Sequence, residues 1–342
     1  MDQTIVKIGI IGCGALGSYY GAMLRRMGLE VHFLLRSDFE HVSQHGVRIE
    51  SPNGSFHVHP HAHRSGHTIG ACDLVLVGLK TTANQALKPL LEPLMGPKTQ
   101  VLTLQNGLGN EQALANLVPA SRILGGLCFV CLNRISPGVI QHLDHGLIVL
   151  GEWESSTTRR LEEVQALLQS ADIPCQVTSN LMQAHWEKLL WNIPFNGLGV
   201  AARLGHLAFD GDPTQLEHLR EGTCLDAGKL LNDRRWLMRI KQLMQEVMHV
   251  AQSLGYSIDP SLPDQLIAKT RTMGSYRAST LIDFERGDPL EMDSLFSQPL
   301  DCARSANVPT PILERLVATL HELEARREKG GLSSGDAIRM KT

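Results

Sequence analysis

An amine and two amides recur at four-residue intervals in Trp186-Glu187-Lys188-Leu189-Leu190-Trp191-Asn192-Ile193-Pro194-Phe195-Asn196. On a helix, Lys188, Asn192 and Asn196 share one face, because side chains at i and i+4 stack. The residues between them are mostly large and apolar, so a buried helix is expected. A polar stripe inside a protein needs partners, since each unpaired group costs about 1–3 kcal/mol. A ligand is one source of partners; a polar network between helices and a solvent-facing stripe are the others. Pro194 has no N–H for the Leu190 carbonyl and should kink the helix, re-aiming Asn196. Glu291, in Pro289-Leu290-Glu291-Met292-Asp293, could pair with Lys188 or cap the helix that starts there.

Chemistry of this kind needs a partner held elsewhere in the chain. Gly12-Cys13-Gly14-Ala15-Leu16-Gly17 directly follows the apolar run Ile8-Gly9-Ile10-Ile11. Strand, glycine turn and helix opening together make a dinucleotide site. Gly12 permits the tight turn, Gly14 lets a pyrophosphate approach the backbone, and Gly17 lets the helix pack close to the strand. The N–H groups at the helix start then face the phosphates.

The next β-type run, Val31-His32-Phe33-Leu34-Leu35, ends in Arg36, nineteen positions after Gly17. NAD sites usually place an acid there, on the ribose hydroxyls. A guanidinium instead suits a 2′-phosphate, through paired charge-assisted hydrogen bonds. NADP(H) is therefore the expected cofactor; the alternative is a solvated strand-end arginine, with Asp38 nearby. Lys80 follows the run Asp73–Leu79, and Asn106 follows the run 101–104. Ligands of open α/β sheets bind outside the carboxyl ends of strands. The alternatives here are a surface lysine and an Asn-Gly turn.

A length of 342 residues suits two domains. With 32 Lys and Arg against 35 Asp and Glu, the net charge of −3 gives no basic surplus for nucleic acid. No apolar run approaches the roughly 20 residues of a membrane span. The first residues lead straight into a strand rather than a signal peptide, so a soluble cytoplasmic protein is expected. Seven cysteines in a chain this long do not form a disulfide framework. Cys128 and Cys131, in an apolar stretch with no second pair, read as buried packing. His57, His59, His61, His63 and His67 alternate, which puts several on one strand face; with no carboxylate or cysteine beside them they read as an edge or loop, and no metal is assigned.

The expected architecture is α/β: an N-terminal Rossmann-type doubly wound sheet over residues 1–180, then an all-helical substrate and catalytic domain over 181–328, with a cleft between and a flexible tail at 329–342. Strands are expected around the Pro52-Asn53-Gly54 turn and at 73–79, 101–104, 122–130, 138–143 and 146–150. Helices are expected at 158–170, 183–202, 214–232, 235–254, 261–286, 290–306 and 310–328.

The ordered series of the glycine turn, Arg36, Leu79-Lys80, Gln105-Asn106-Gly107, the segment Trp186 to Asn196, Ser279-Thr280-Leu281-Ile282-Asp283 and Glu291-Met292-Asp293 resembles the ketopantoate reductase (2-dehydropantoate 2-reductase) family, from about residue 7 to about residue 325. The resemblance implies reduction of 2-dehydropantoate to (R)-pantoate with NADPH, on the route to pantothenate and coenzyme A. It implies that Gly12, Cys13, Gly14, Ala15, Leu16, Gly17, Arg36 and Lys80 bind the cofactor, with Asn106 between cofactor and substrate. Lys188 becomes the general acid, and Asn192, Asn196 and Ser279 hold the substrate. Glu291 binds the cofactor and helps set the position of Lys188. The implied partner is a small 2-oxo acid, with no nucleic acid or membrane; homodimer formation is left open.

The chain departs from the family pattern in places. Between Asn196 and Asn232 it is about twenty residues longer than helix lengths lead one to expect. Asp226-Ala227-Gly228-Lys229-Leu230 stands where the family often has an asparagine before Gly-Glu-Leu, and Ser294-Leu295-Phe296-Ser297-Gln298 replaces a glycine-containing step. Two other readings are a paralogue acting on another 2-oxo acid and a non-catalytic NADP(H) sensor. A sensor has no need for Lys188, Asn192, Asn196, Ser279 and Glu291 together.

Overall fold

Two glycines decide how the chain starts to fold. Strand β1 (Lys7–Ile11) enters the turn at Gly12, and helix α1 (Ala15–Arg26) leaves it past Gly17. The computed structural model describes residues 5–154 and 158–330, so all of the expected tail beyond Gly330 lies outside the described residues. The chain divides into two units, Met1–His185 and Trp186–Thr342. The division falls within one helix, Leu181–Ala201.

In the first unit the chain order is β1, α1, β2 (Glu30–Leu34), α2 (Phe39–His45), β3 (Val47–Glu50), β4 (Phe56–Val58), β5 (His61–His63), β6 (Leu74–Val77), α3 (Leu87–Leu91), β7 (Gln100–Thr103), α4 (Asn110–Ala115), β8 (Ile123–Ser136), β9 (Val139–Glu152), α5 (Arg159–Ser170) and β10 (Cys175–Val177). Six parallel strands run β5-β2-β1-β6-β7-β8. Counted along the chain this is the 3-2-1-4-5-6 order of a dinucleotide-binding sheet. All four residues of β6 are buried, as in a parallel strand covered on both faces.

The three runs expected over 122–150 are two 14-residue strands, β8 and β9, paired antiparallel around Pro137-Gly138. Register shifts interrupt the pairing, and His145 (φ 64°) and Gly146 (φ 136°) break the apolar alternation without ending the strand. Beyond β9 the sheet continues through β3 to β4.

The sheet therefore has β4 at one edge and β5 at the other, and only His59-Pro60 joins them. Three peptide steps reach at most about 11 Å, so the sheet must curl until its edges approach. Helix α1 lies in that curl. Its residues Gly17 to Leu24 are all buried. Tyr19, Tyr20 and Leu24 pack with Val47, Ile49, Val58, Ile140 and Ile148, and the Tyr20 hydroxyl donates to the Gly146 carbonyl at 3.2 Å.

The curl also divides the alternating histidines between two strands. His57 belongs to β4, whereas His61 and His63 belong to β5 at the opposite edge. His32 of β2 joins the latter pair: its Nδ1 is 2.9 Å from His63 Nε2, and its ring stacks on His61 at 4.8 Å. Burial pushes both His32 and His63 below the ordinary imidazole value. Cys128 and Cys131 are buried on β8 and form no disulfide.

The second unit is helical: the later part of α6 (Leu181–Ala201), then α7 (Leu207–Asp210), α8 (Ala227–Asn232), α9 (Arg234–Ser253), α10 (Leu262–Thr272), α11 (Ser279–Arg286), α12 (Gln298–Ser305) and α13 (Pro311–Glu328). In α9, Trp236, Ile240, Leu243, Met244, Val247 and Val250 fall on one buried face. Its Glu246 accepts the Ile312 and Leu313 N–H groups at the start of α13, at 2.9 and 2.8 Å.

Two expected helices are broken. In place of 214–232 there is a 3-10 turn, Pro213–His218, then extended chain before α8. The Gly222 and Leu225 N–H groups bond the Arg203 and Gly199 carbonyls rather than their own turn. In place of 261–286, α10 stops short of Gly274 (φ 62°), and α11 begins only at Ser279. The expected helix 290–306 is one π turn, Asp293–Ser297, running into α12.

Candidate active site

The glycine turn is shaped by close backbone approaches. Gly12 has φ +86°, and a Cβ on it would lie 2.3 Å from the Leu79 nitrogen. A Cβ on Gly17 would lie 2.3 Å from the Gly12 carbonyl oxygen. Gly14 differs: it is exposed, and a Cβ there would meet nothing within 4 Å. It is the N-cap of α1, which has no side-chain cap and no acid in its first turn. Such a helix start, with open space before it, fits a pyrophosphate. Ala15 and Leu16 are half-buried in the opening turn of α1. Burial pushes the Cys13 thiol well up, so it stays protonated and adds no charge to the turn.

Adjacent parallel strands bring the first-unit residues to one end of the sheet. The glycine turn follows β1, Arg36 lies just past β2, Lys80 comes after β6, and Asn106 comes after β7. Arg36 and Lys80 are exposed; Asn106 is half-buried. A directional chain of hydrogen bonds supports the Asn106 loop. The Thr103 hydroxyl donates to Gln105 Oε1 (3.1 Å), Gln105 Nε2 to Asn84 Oδ1 (2.7 Å), Asn84 Nδ2 to Asn110 Oδ1 (3.3 Å), and Asn110 Nδ2 to the Asn106 carbonyl (3.0 Å).

Sequence reasoning missed two buried pairs of the same unit. His185 Nε2 is 3.0 Å from Glu111 Oε1, and both side chains are almost fully enclosed. The pair joins α4 to the first turn of α6. Asp38, noted only as a neighbour of Arg36, is gripped by Arg134 of β8: Nε donates to Oδ2 at 2.9 Å and Nη2 to Oδ1. No local signal points to either pair, because the partners are 74 and 96 residues apart.

In the second unit, Lys188 is half-buried, and Asn192 and Asn196 are buried, on an α6 that runs unbroken through Pro194. Asn196 Oδ1 accepts both the Ser279 hydroxyl (3.2 Å) and the Thr280 N–H (3.0 Å). Helix α11 has no side-chain cap from Ala278, its own N-cap residue, so Asn196 supplies the acceptor from another helix. Ser279 itself is exposed, and Glu291 is half-buried just before the π turn.

This arrangement can bind a phosphorylated dinucleotide at one sheet end and present an amine with two amides from a buried helix. Comparison with known proteins gives the family. The family described as Ketopantoate reductase PanE/ApbA matches residues 8–155, and its C-terminal counterpart matches residues 223–324. A 2-dehydropantoate 2-reductase from Nostoc sp. is 36% identical over 333 residues, covering 96% of this chain and 98% of its own. The crystal structure of a 2-dehydropantoate 2-reductase from Geobacter metallireducens superposes with a TM-score of 0.84 at 40% identity, over 93% of this chain and 99% of that one. The enzyme of that name from Methylococcus capsulatus gives 0.81 at 28% identity, over 97% and 99%. The chain belongs to the ketopantoate reductase family.

Proposed function

We propose that the protein reduces 2-dehydropantoate to pantoate with NADPH, through Lys188 as general acid. The observation that carries this reading is the stripe on α6, where a half-buried amine precedes two buried amides, one of them fixed by Ser279 and Thr280. The names of the relatives supply the substrate; Arg36, in the position usual for a ribose-binding acid, supports the phosphorylated cofactor.

Bound reduced nicotinamide supplies the hydride that the ketone carbon takes up. Negative charge then grows on the ketone oxygen. The Lys188 ammonium stabilises that charge and gives up its proton to it. Partial burial strengthens this interaction by removing competing water. Glu291 is assigned to the cofactor and to setting the position of Lys188. Asn196 turns its Nδ2 donors toward the substrate, because its oxygen is already engaged. The Ser279 hydroxyl donates its hydrogen bond to Asn196 Oδ1 and so keeps its oxygen as acceptor for a substrate hydroxyl. Asn192 and Asn106 each add a neutral amide. Arg36 and Lys80 meet the cofactor's phosphate charge.

The reading implies a cytoplasmic enzyme whose partner is a small 2-oxo acid. Among the described residues no helix is long and apolar enough to cross a membrane. The test follows NADPH and NADH oxidation with 2-dehydropantoate and a panel of branched 2-oxo acids. The expected result is a clear preference for 2-dehydropantoate and NADPH. Higher kcat/KM with another acid would transfer the assignment to that substrate.

A further inference from the structure

The end of β2 carries two charged groups of opposite sign, Arg36 and Asp38, and only one of them is presented to solvent. Arg36 is exposed, whereas the Asp38 side chain is 7% exposed. Four donors occupy its carboxylate. Arg134 donates Nε to Oδ2 at 2.9 Å and Nη2 to Oδ1; the Ser37 hydroxyl donates to Oδ1 at 2.9 Å; and the Gly138 N–H donates to Oδ2 at 3.2 Å. Arg134 and Gly138 flank the tip of the β8–β9 hairpin, so this tip is what closes over the carboxylate. Burial alone pushes the Asp38 carboxyl up; the Arg134, Ser37 and Gly138 contacts outweigh it and hold it below the usual carboxylate range. Asp38 is therefore an anion at neutral pH, and the fork of Arg134 compensates it.

The location gives the pair its meaning. An acid at the end of the second strand binds ribose hydroxyls in NAD sites and repels a 2′-phosphate. We propose that Arg134 is a specificity-determining residue: by seizing Asp38 it withdraws that carboxylate from the neighbourhood of Arg36, and with the next acid, Glu40, paired to Arg64, it leaves the end of β2 favourable to a 2′-phosphate. Arg134 acts through Asp38 and does not itself touch the cofactor. This rests on the NADPH reading above and deepens it.

The experiment measures binding to the apoprotein rather than turnover. Dissociation constants for 2′,5′-ADP and ADP, and for NADPH and NADH, are determined by titration calorimetry on the full chain, with melting curves recorded for each variant. Wild type is expected to favour the 2′-phosphorylated member of each pair. Arg134→Met frees the carboxylate a few residues from the bound phosphate and should weaken 2′,5′-ADP and NADPH at least about tenfold, with ADP and NADH changed less than about threefold. Asp38→Asn in the Arg134→Met background removes the stray charge and should restore the wild-type ratio. That double variant leaves no buried unpaired ion, so it reports even if Arg134→Met does not fold.

An unchanged ratio in Arg134→Met overturns the inference. So does a double variant that stays weak for 2′,5′-ADP, which would mean that Arg134 binds the phosphate directly. Equal binding of both members of each pair by wild type would instead overturn the NADPH reading itself.

Discussion

Asn196 on α6 and Ser279 at the start of α11 are joined through one atom, the Asn196 amide oxygen, which also takes the Thr280 N–H. A backbone N–H can only donate, so this contact fixes which way the amide faces. Two residues assigned to the substrate are thus one unit whose donors and acceptors are set before substrate arrives. Replacing Ser279 by Ala removes one contact of an exposed side chain. KM for 2-dehydropantoate should rise about tenfold, with the melting temperature within about 2 °C of wild type. Asn196→Ala also strands the Thr280 N–H in a buried place, so stability should fall by about 1–3 kcal/mol along with activity. Denaturant melts and steady-state kinetics on both variants separate these outcomes; equal loss of stability in the two would contradict them.

Lys188 is tested through the difference between binding and turnover. Lys188→Ala should lower kcat by about 100-fold to 10,000-fold, the range of a positioned acid, while leaving NADPH affinity within a few-fold. Single-turnover kinetics with pre-bound NADPH read the chemical step directly. A variant that keeps wild-type turnover removes the lysine from its role.

Gly14 and Gly17 make a contrast within one turn. A methyl on Gly14 meets open space in the protein, at a backbone angle that alanine tolerates (φ −76°). If the proposed pyrophosphate site is right, Gly14→Ala should therefore fold with an unchanged melting temperature and yet bind NADPH at least about tenfold more weakly, because the methyl would occupy that site. Gly17→Ala drives a methyl to 2.3 Å from the Gly12 carbonyl and should instead destabilise the fold, by about 1–3 kcal/mol. Calorimetric melts and fluorescence titration distinguish the two.

Acid stability depends on caps such as Asp233, which accepts the Arg235 and Trp236 N–H groups at the start of α9. The Trp236 N–H first, then the other groups around it, hold this exposed carboxyl below its usual range. A carboxylate lowered in the folded state contributes stability above its unfolded pKa of about 4 and loses it as pH falls through the lower folded value. Asp233→Asn keeps the cap and should flatten the acid limb of the stability profile. Asp233→Ala should cost about 1 kcal/mol at neutral pH. Urea melts between pH 3 and pH 7 provide the measurement.

What the sequence made legible was local. The stripe of Lys188, Asn192 and Asn196, the glycine turn and the place of Arg36 each follow from spacing along one element, and α6, β1 and β2 have the periodicity that encodes it. What stayed hidden depends on contacts across the chain. Apolar alternation marks the face of a strand but not which edges meet, so His57 and His61 looked like neighbours on one surface when they lie on opposite edges. The helix expected over 261–286 misread Gly274, whose positive φ ends a turn. Glu111–His185 and Asp38–Arg134 carry no mark of their partnership, since each acid is an ordinary helix-start residue until the fold closes around it.

The enclosure of α1 also bears on how the chain is made. This helix leaves the ribosome well before the later strands that enclose it, with Tyr19, Tyr20 and Leu24 facing residues not yet synthesised. The carbonyl that receives the Tyr20 hydroxyl follows 126 residues later. At ordinary elongation rates that interval is roughly 6 to 25 s, during which the apolar side of the helix has no final neighbour. Slowed translation before β9 should therefore cost soluble yield more than slowed translation after it.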